Sequence, residues 1–151
     1  MKPRISRKRD GTFEIALPDE ERALLAALVP QLRELLAEGT DPGLRRLFPT
    51  AYADDAERDR EYSALTHDEL LSKRLADLDT LEAHAGADQL SEEEVMQWMG
   101  AINSLRLVLG TRLDVSEDMD EPDIDDPDGP SYAVYSYLSF LLENLIAAAS
   151  S

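Results

Sequence analysis

The sequence predicts a mainly α fold, a helical bundle of about five to six helices with an N-terminal β-hairpin, and three observations carry that expectation. Apolar residues make up 43% of the chain, yet there are only one Trp, three Phe and five Tyr, so the core must be built from Leu, Ala, Ile and Val, a mix that favours helices. Apolar stripes at helical spacing recur in residues 18–38, 66–85, 91–113 and 129–148. Near the start, Ile5, Phe13, Ile15 and Leu17 instead alternate with polar residues around Asp10-Gly11, a dipeptide that supplies the positive φ of a tight hairpin turn.

The 151 residues suit one domain with a sizeable core. It divides into a β-hairpin over 1–17, a helical core over 18–113, an acidic loop over 114–128 and a C-terminal helix over 129–148. The charge is −17, from 32 acidic and 15 basic residues, which repels phosphate backbones and acidic membranes. Direct nucleic-acid or membrane binding is therefore not expected. With no cysteine, the chain can form neither a disulfide nor a thiolate nucleophile, zinc–thiolate site or thiol switch. The basic start is followed by alternating residues and not by a continuous apolar run, so no signal peptide is read and a cytoplasmic location is expected.

Lys2, Arg4, Arg7, Lys8 and Arg9 make the first strand basic; charge on an edge strand protects it from aggregation, and this reading is preferred to a phosphate-contacting arm. Pro18 and Asp19 then open a helix whose first turn holds Glu20 and Glu21, where the helix dipole favours anions. It should run to Glu38 before Gly39, with a kink at Pro30, which removes an internal hydrogen bond. Residues 39–54 are broken by Gly, Pro and Thr, leaving a short turn around Leu44 and Leu47, with Phe48 and Tyr52 as anchors.

A charged helical segment over 54–65 is expected to stop where Thr66 and Glu69 form a capping box and open a second helix. Another capping box, Ser91 with Glu94, starts the longest periodic segment. Its broad apolar face holds Val95, Trp98, Met99, Ile102, Leu105, Leu109 and Leu113, while Gln97, Ser104, Thr111 and Arg112 point the other way. Gly110 costs helix stability, so it implies close approach by another helix. The helix pair on either side of Gly86 invites a helix-turn-helix comparison, which is rejected because the would-be recognition helix begins Glu92-Glu93-Glu94. Residues 114–128 hold nine acidic residues and no basic one, but they fit no EF-hand register and read as a solvated linker. The last helix carries Val134, Leu138, Leu141, Leu145 and Ile146, widened by Tyr135, Phe140 and Leu142, an apolar excess that predicts deep packing or a homodimer contact.

No nucleophilic, phosphate-loop or dinucleotide motif occurs in the chain, and the two histidines, His67 and His84, lack the spacing of a metal pair. The chain is accordingly expected not to be an enzyme, and to use no cofactor or metal. The sharper candidate site is Asn103 with Arg106, set in or beside the apolar arc and flanked by Trp98 and Arg112. These residues could receive a carboxylate in a small-ligand-binding helical domain. A structural ion pair between helices is favoured over that reading, because a buried guanidinium requires a partner.

The segment from Trp98 through Gly100, Asn103, Arg106 and Gly110 to Arg112 resembles an actinobacterial family designated a domain of unknown function, some of whose members are named oxidative-stress transcriptional regulators. The resemblance also takes in the basic hairpin, the Leu-rich first helix, Phe48-Pro49 with Tyr52, and the Tyr-containing last helix. It implies a regulator that depends on an N-terminal cysteine pair and associates with an RNA-polymerase sigma factor. The cysteines are missing here, so the thiol switch does not carry over. The reading that follows is a non-enzymatic regulatory or adaptor protein acting by protein–protein contacts, with a sigma factor or RNA polymerase as the implied partner.

Overall fold

The computed structural model describes residues 3–39, 44, 47, 56–113 and 129–151, with the side chains of 56–66, 112 and 113 outside that description. The chain is mainly helical, with a small β-sheet at its start. Strands β1 (Ile5–Arg7) and β2 (Phe13–Ile15) form the hairpin, followed by helices α1 (Asp19–Glu38) and α2 (Ala56–His84), a two-residue strand β3 (Gln89–Leu90), and helices α3 (Glu92–Leu113) and α4 (Gly129–Ala149). Among the described residues there are four helices, fewer than the five to six expected from the sequence.

Most of the difference lies in α2, which is one helix where the sequence suggested two. The Thr66–Glu69 pattern does not interrupt it. Residues 56–84 contain neither Gly nor Pro, and Thr, Asp and Glu are tolerated in a helix interior, so cap-type residues alone do not stop a helix that nothing else breaks. Helix α1 runs unbroken through Pro30. It ends as expected at Gly39, whose φ of 71° lets its N–H reach the Leu35 carbonyl at 3.0 Å, the C-terminal cap that glycine accommodates without strain.

The hairpin pairs Ile5 with Ile15 and Arg7 with Phe13, and its turn holds Gly11 at φ 88° with the Thr12 N–H on Asp10 Oδ1 at 3.0 Å. The connection over 86–90 is more than a linker: β3 extends the sheet to the order β1-β2-β3, setting Phe13 opposite Leu90. Ile5, Phe13, Ile15 and Leu17 are all buried, so the alternation in the sequence marks the sheet face laid on the helices.

Helix α3 packs against α2 on one side and α4 on the other. This corrects the expectation that Gln97, Ser104 and Thr111 face away from the core. Ser104 is 1% and Thr111 9% exposed, while Gln97 Oε1 accepts from Thr80 Oγ1 at 2.9 Å; the polar arc is the seam with α2. Thr111 satisfies its hydroxyl on the Leu107 carbonyl at 2.8 Å, the back-bond open to Thr within a helix. Gly110 is the expected point of close approach, because a Cβ there would stand 2.9 Å from Cε2 of Tyr135 on α4. Leu44 and Leu47 are buried, joined by a turn hydrogen bond of 2.9 Å. Phe48, Tyr52 and the acidic stretch 114–128 lie outside the described residues.

Candidate functional site

The polar chemistry concentrates where the sheet meets the helix ends. Arg22 leaves the first turns of α1 and donates from Nε to Leu17 O at 2.9 Å, from Nη1 to Ala85 O at 3.1 Å and Ala87 O at 2.6 Å, and from Nη2 to Ile15 O at 3.1 Å. Nη2 also pairs with Asp88 Oδ1 at 3.2 Å, and the side chain is only 13% exposed. One guanidinium thus ties α1 to β2 and to the turn after α2, using the many-pronged donor geometry that lysine lacks. It was missed in the sequence because its acceptors are backbone carbonyls, which leave no residue-type signal.

Beside it, the capping box of α3 forms as its sequence signature specifies. Glu94 Oε1 accepts the Ser91 N–H at 2.8 Å and Ser91 Oγ accepts the Glu94 N–H at 3.1 Å. The other Glu94 oxygen meets His84 Nε2 at 2.7 Å, while His84 Nδ1 faces the Thr80 carbonyl at 3.0 Å. The Ser91 backbone bond, with help from its hydroxyl and from His84, holds the Glu94 carboxyl below its ordinary range. Nearby, Arg7 lies 3.6 Å from Glu92, donates to the Ser151 carbonyl at 2.9 Å and covers the Phe13 ring at 5.3 Å. Arg4 bonds Glu21 at 3.0 Å and lies 5.7 Å above the Phe140 ring. These basic residues of the hairpin therefore tie the starts of α1 and α3, Phe140 of α4 and the chain's last residue to the sheet.

The residues singled out in the sequence lie further along α3. Arg106 Nη2 donates to Asn103 Oδ1 at 3.0 Å, the contact that a spacing of three residues allows on a helix. Both side chains are half-buried, and Arg106 Nε is buried without a hydrogen-bond partner. Among the described residues Arg106 meets no carboxylate at ion-pair distance. Trp98 is fully buried, its Nε1 also unpartnered, and the Arg112 side chain lies outside the described residues. The structure therefore joins Asn103 to Arg106 and sends Trp98 into the core. A separate shallow apolar cleft is lined by Leu28, Leu32 and Leu35 of α1, Leu105 and Leu109 of α3 and Leu138 of α4. Among the described residues no three His, Asp or Glu side chains converge as metal ligands, and no helix is long and apolar enough to cross a membrane.

The model of the family described as a domain of unknown function (DUF2017) matches residues 1–149. The chain belongs to DUF2017. Among curated proteins this DUF2017 chain is similar to the oxidative stress regulator AosR of Mycobacterium bovis, at 31% identity over 134 residues, covering 70% of this chain and 57% of that protein. The oxidative stress regulator AosR of Mycobacterium tuberculosis strain H37Rv matches with the same identity and coverage. The DUF2017 chain thus spans somewhat over half the length of the regulators it matches. No solved structure matches it.

Proposed function

We propose that this chain is a non-enzymatic regulatory protein of stress-linked transcription that works through protein–protein contacts, with a sigma factor or RNA polymerase as its partner. The observation that carries the reading is the similarity, over 70% of the chain, to proteins named oxidative stress regulators. The local chemistry agrees with it: Arg4, Arg7, Arg22, His84 and Glu94 are spent on joining elements to one another and assemble no nucleophile and base. A surface of net charge −17 suits a partner with basic faces, for which opposite charge raises the rate of encounter. With no cysteine, any response to oxidants reaches this chain through its partner or through methionine oxidation.

Affinity capture of the tagged full chain from lysate of its source organism, with and without oxidant, tests this directly. Recovery of a sigma factor or a polymerase subunit, lost when salt is raised, is the expected result. Repeated capture without any transcription component would sink the proposal.

A further inference from the structure

We propose that the outer edge of β1, where it faces α4, takes up an extended acidic segment of a partner protein as an added strand of the sheet. The hydrogen-bond register of the hairpin decides which backbone groups stand on that edge. The Ala16 N–H reaches the Arg4 carbonyl and the Lys8 N–H the Thr12 carbonyl, both at 2.8 Å. Bonded and non-bonded pairs alternate along an antiparallel ladder, so Ile5 and Arg7, opposite Ile15 and Phe13, turn their N–H and C=O groups the other way. The far side of β2 has the matching phase, since the Ile15 N–H bonds the Asp88 carbonyl at 2.8 Å. Strand β1 ends the order β1-β2-β3, and among the described residues no backbone group from outside the sheet bonds those of Ile5 or Arg7. Ile5 is only 4% exposed, and backbone groups so shielded are normally paired, so the edge lacks the partner such a residue ordinarily has.

The space beside the edge suits a strand. Pro3, Ile5 and Arg7 form one wall and Asn144, Ala147 and Ala148 of α4 the other, around a groove of about 400 Å³. A strand laid there alternates its side chains: one set turns toward α4, where two alanines leave room for apolar groups, and the other lies beside Ser6 and Lys8. Main-chain bonds hold a peptide added in this way, and its alternate side chains select it.

Charge decides the occupant. In a chain of net charge −17, residues 1–9 hold Lys2, Arg4, Arg7, Lys8 and Arg9 and no acidic residue. Arg4 and Arg7 are engaged by Glu21 and Glu92, while Lys8 and Arg9 are exposed. Along α4 the strand runs from Phe140, under Arg4, to Ser151, held by Arg7. Glu143 therefore flanks the start of the groove, and Lys8 and Arg9 its end, where the acidic side chains of the partner belong. Like charges set opposite one another across a ladder are destabilising, which disfavours a second copy offering its own β1. A phosphate backbone would satisfy the cations but only accepts hydrogen bonds, leaving the Ile5 and Arg7 carbonyls unmet. This edge is distinct from the acidic surface assigned above to a basic partner and does not depend on that reading.

The test is a titration of the isotope-labelled full chain with a short peptide of alternating valine and glutamate, followed by amide NMR. The Ile5 and Arg7 signals should move and exchange at the Arg7 amide slow by about tenfold or more, while a valine–lysine peptide should bind about tenfold more weakly. Arg7→Pro removes one outer donor and leaves the β1–β2 ladder whole, as an edge position allows. It should weaken binding by about tenfold with the fold unchanged by circular dichroism, and Arg7→Ala, which keeps the N–H, should weaken it less. Lys8→Glu combined with Arg9→Glu should reverse the preference between the two peptides. Failure of the acidic peptide to bind, equal binding of both peptides, or shifts elsewhere with Ile5 and Arg7 silent each overturns the proposal. So does protection of the Arg7 amide in the chain alone, which would put a second copy or the chain's own residues on the edge.

Discussion

Asp77 of α2 is buried against the backbone of Gly100 of α3, so that a methyl group at position 100 would overlap the carboxylate Oδ2 and stand 3.0 Å from Cγ. Asp77 is 3% exposed and its Oδ2 is held by Lys73 at 3.0 Å, so it cannot step aside without breaking that bond inside the α2–α3 seam. Gly100→Ala gains about 1 kcal/mol of helix propensity but forces this displacement, and overpacking of that kind costs about 1–3 kcal/mol. The expected net effect is a loss of stability of about 1 kcal/mol. Urea denaturation should show it, and the loss should shrink when Asp77→Ala is combined with Gly100→Ala, because the overlap is then gone.

Removing the Arg22 side chain leaves the Leu17, Ile15, Ala85 and Ala87 carbonyls without their charged donor at one junction. Hydrogen bonds to a charged group contribute about 1.5–3 kcal/mol each and are not additive, so Arg22→Ala should lower stability by about 3 kcal/mol. Arg22→Lys should recover less than half, since one ammonium cannot span acceptors arranged around a planar fork. Thermal melts of the two variants against the parent check this; equal stability of lysine and arginine would show that only the charge matters.

The acid limb of stability should carry the signature of Glu94. Its carboxyl is held low in the folded chain, first by the Ser91 N–H and then by the Ser91 hydroxyl and His84. A folded-state value below the unfolded one, about 4.3 for Glu, means that the contribution is fully present above that pH. It is lost as pH falls through the folded value. Glu94→Gln should therefore cost about 1 kcal/mol at pH 7, the usual scale of a helix cap. The gap to the parent should close below about pH 4. A gap that stays constant from pH 7 to 3 would show that the carboxylate charge contributes nothing.

What could be read from the chain follows from how local each signal is. Ser91 with Glu94, Gly39 and Asp10-Gly11 act within a few residues of themselves, and each does in the structure what its spacing specifies. Thr66 with Glu69 shows the limit of that logic: the same pattern occurs inside α2, where no breaker precedes it. Ser104 and Thr111 read as solvent-facing because periodicity reports one buried face, and α3 has two. Arg22 and β3 were illegible for a different reason. Their partners are mostly backbone atoms, and many lie about sixty residues or more away, as in the bond from Arg22 to Ala87 and the pairing of Phe13 with Leu90. At the candidate site, the spacing foretold that Asn103 and Arg106 would be neighbours, but not that Arg106 Nε would be buried and unbonded.

That unbonded nitrogen makes Arg106 the most informative position for separating stability from recognition. A half-buried guanidinium gains from its bond to Asn103 but bears the desolvation of Nε, and such a charge is often replaced by an apolar side chain at little cost. Arg106→Met keeps the stem that packs along α3 and removes the desolvated head, so stability should change by less than about 1 kcal/mol. Asn103→Ala, which removes the acceptor and leaves the guanidinium, should be the more destabilising of the two. Chemical denaturation decides the order. If Arg106→Met instead costs more than about 3 kcal/mol, the residue is one half of a structural ion pair. If stability holds while partner capture is lost, Arg106 belongs to the recognition surface.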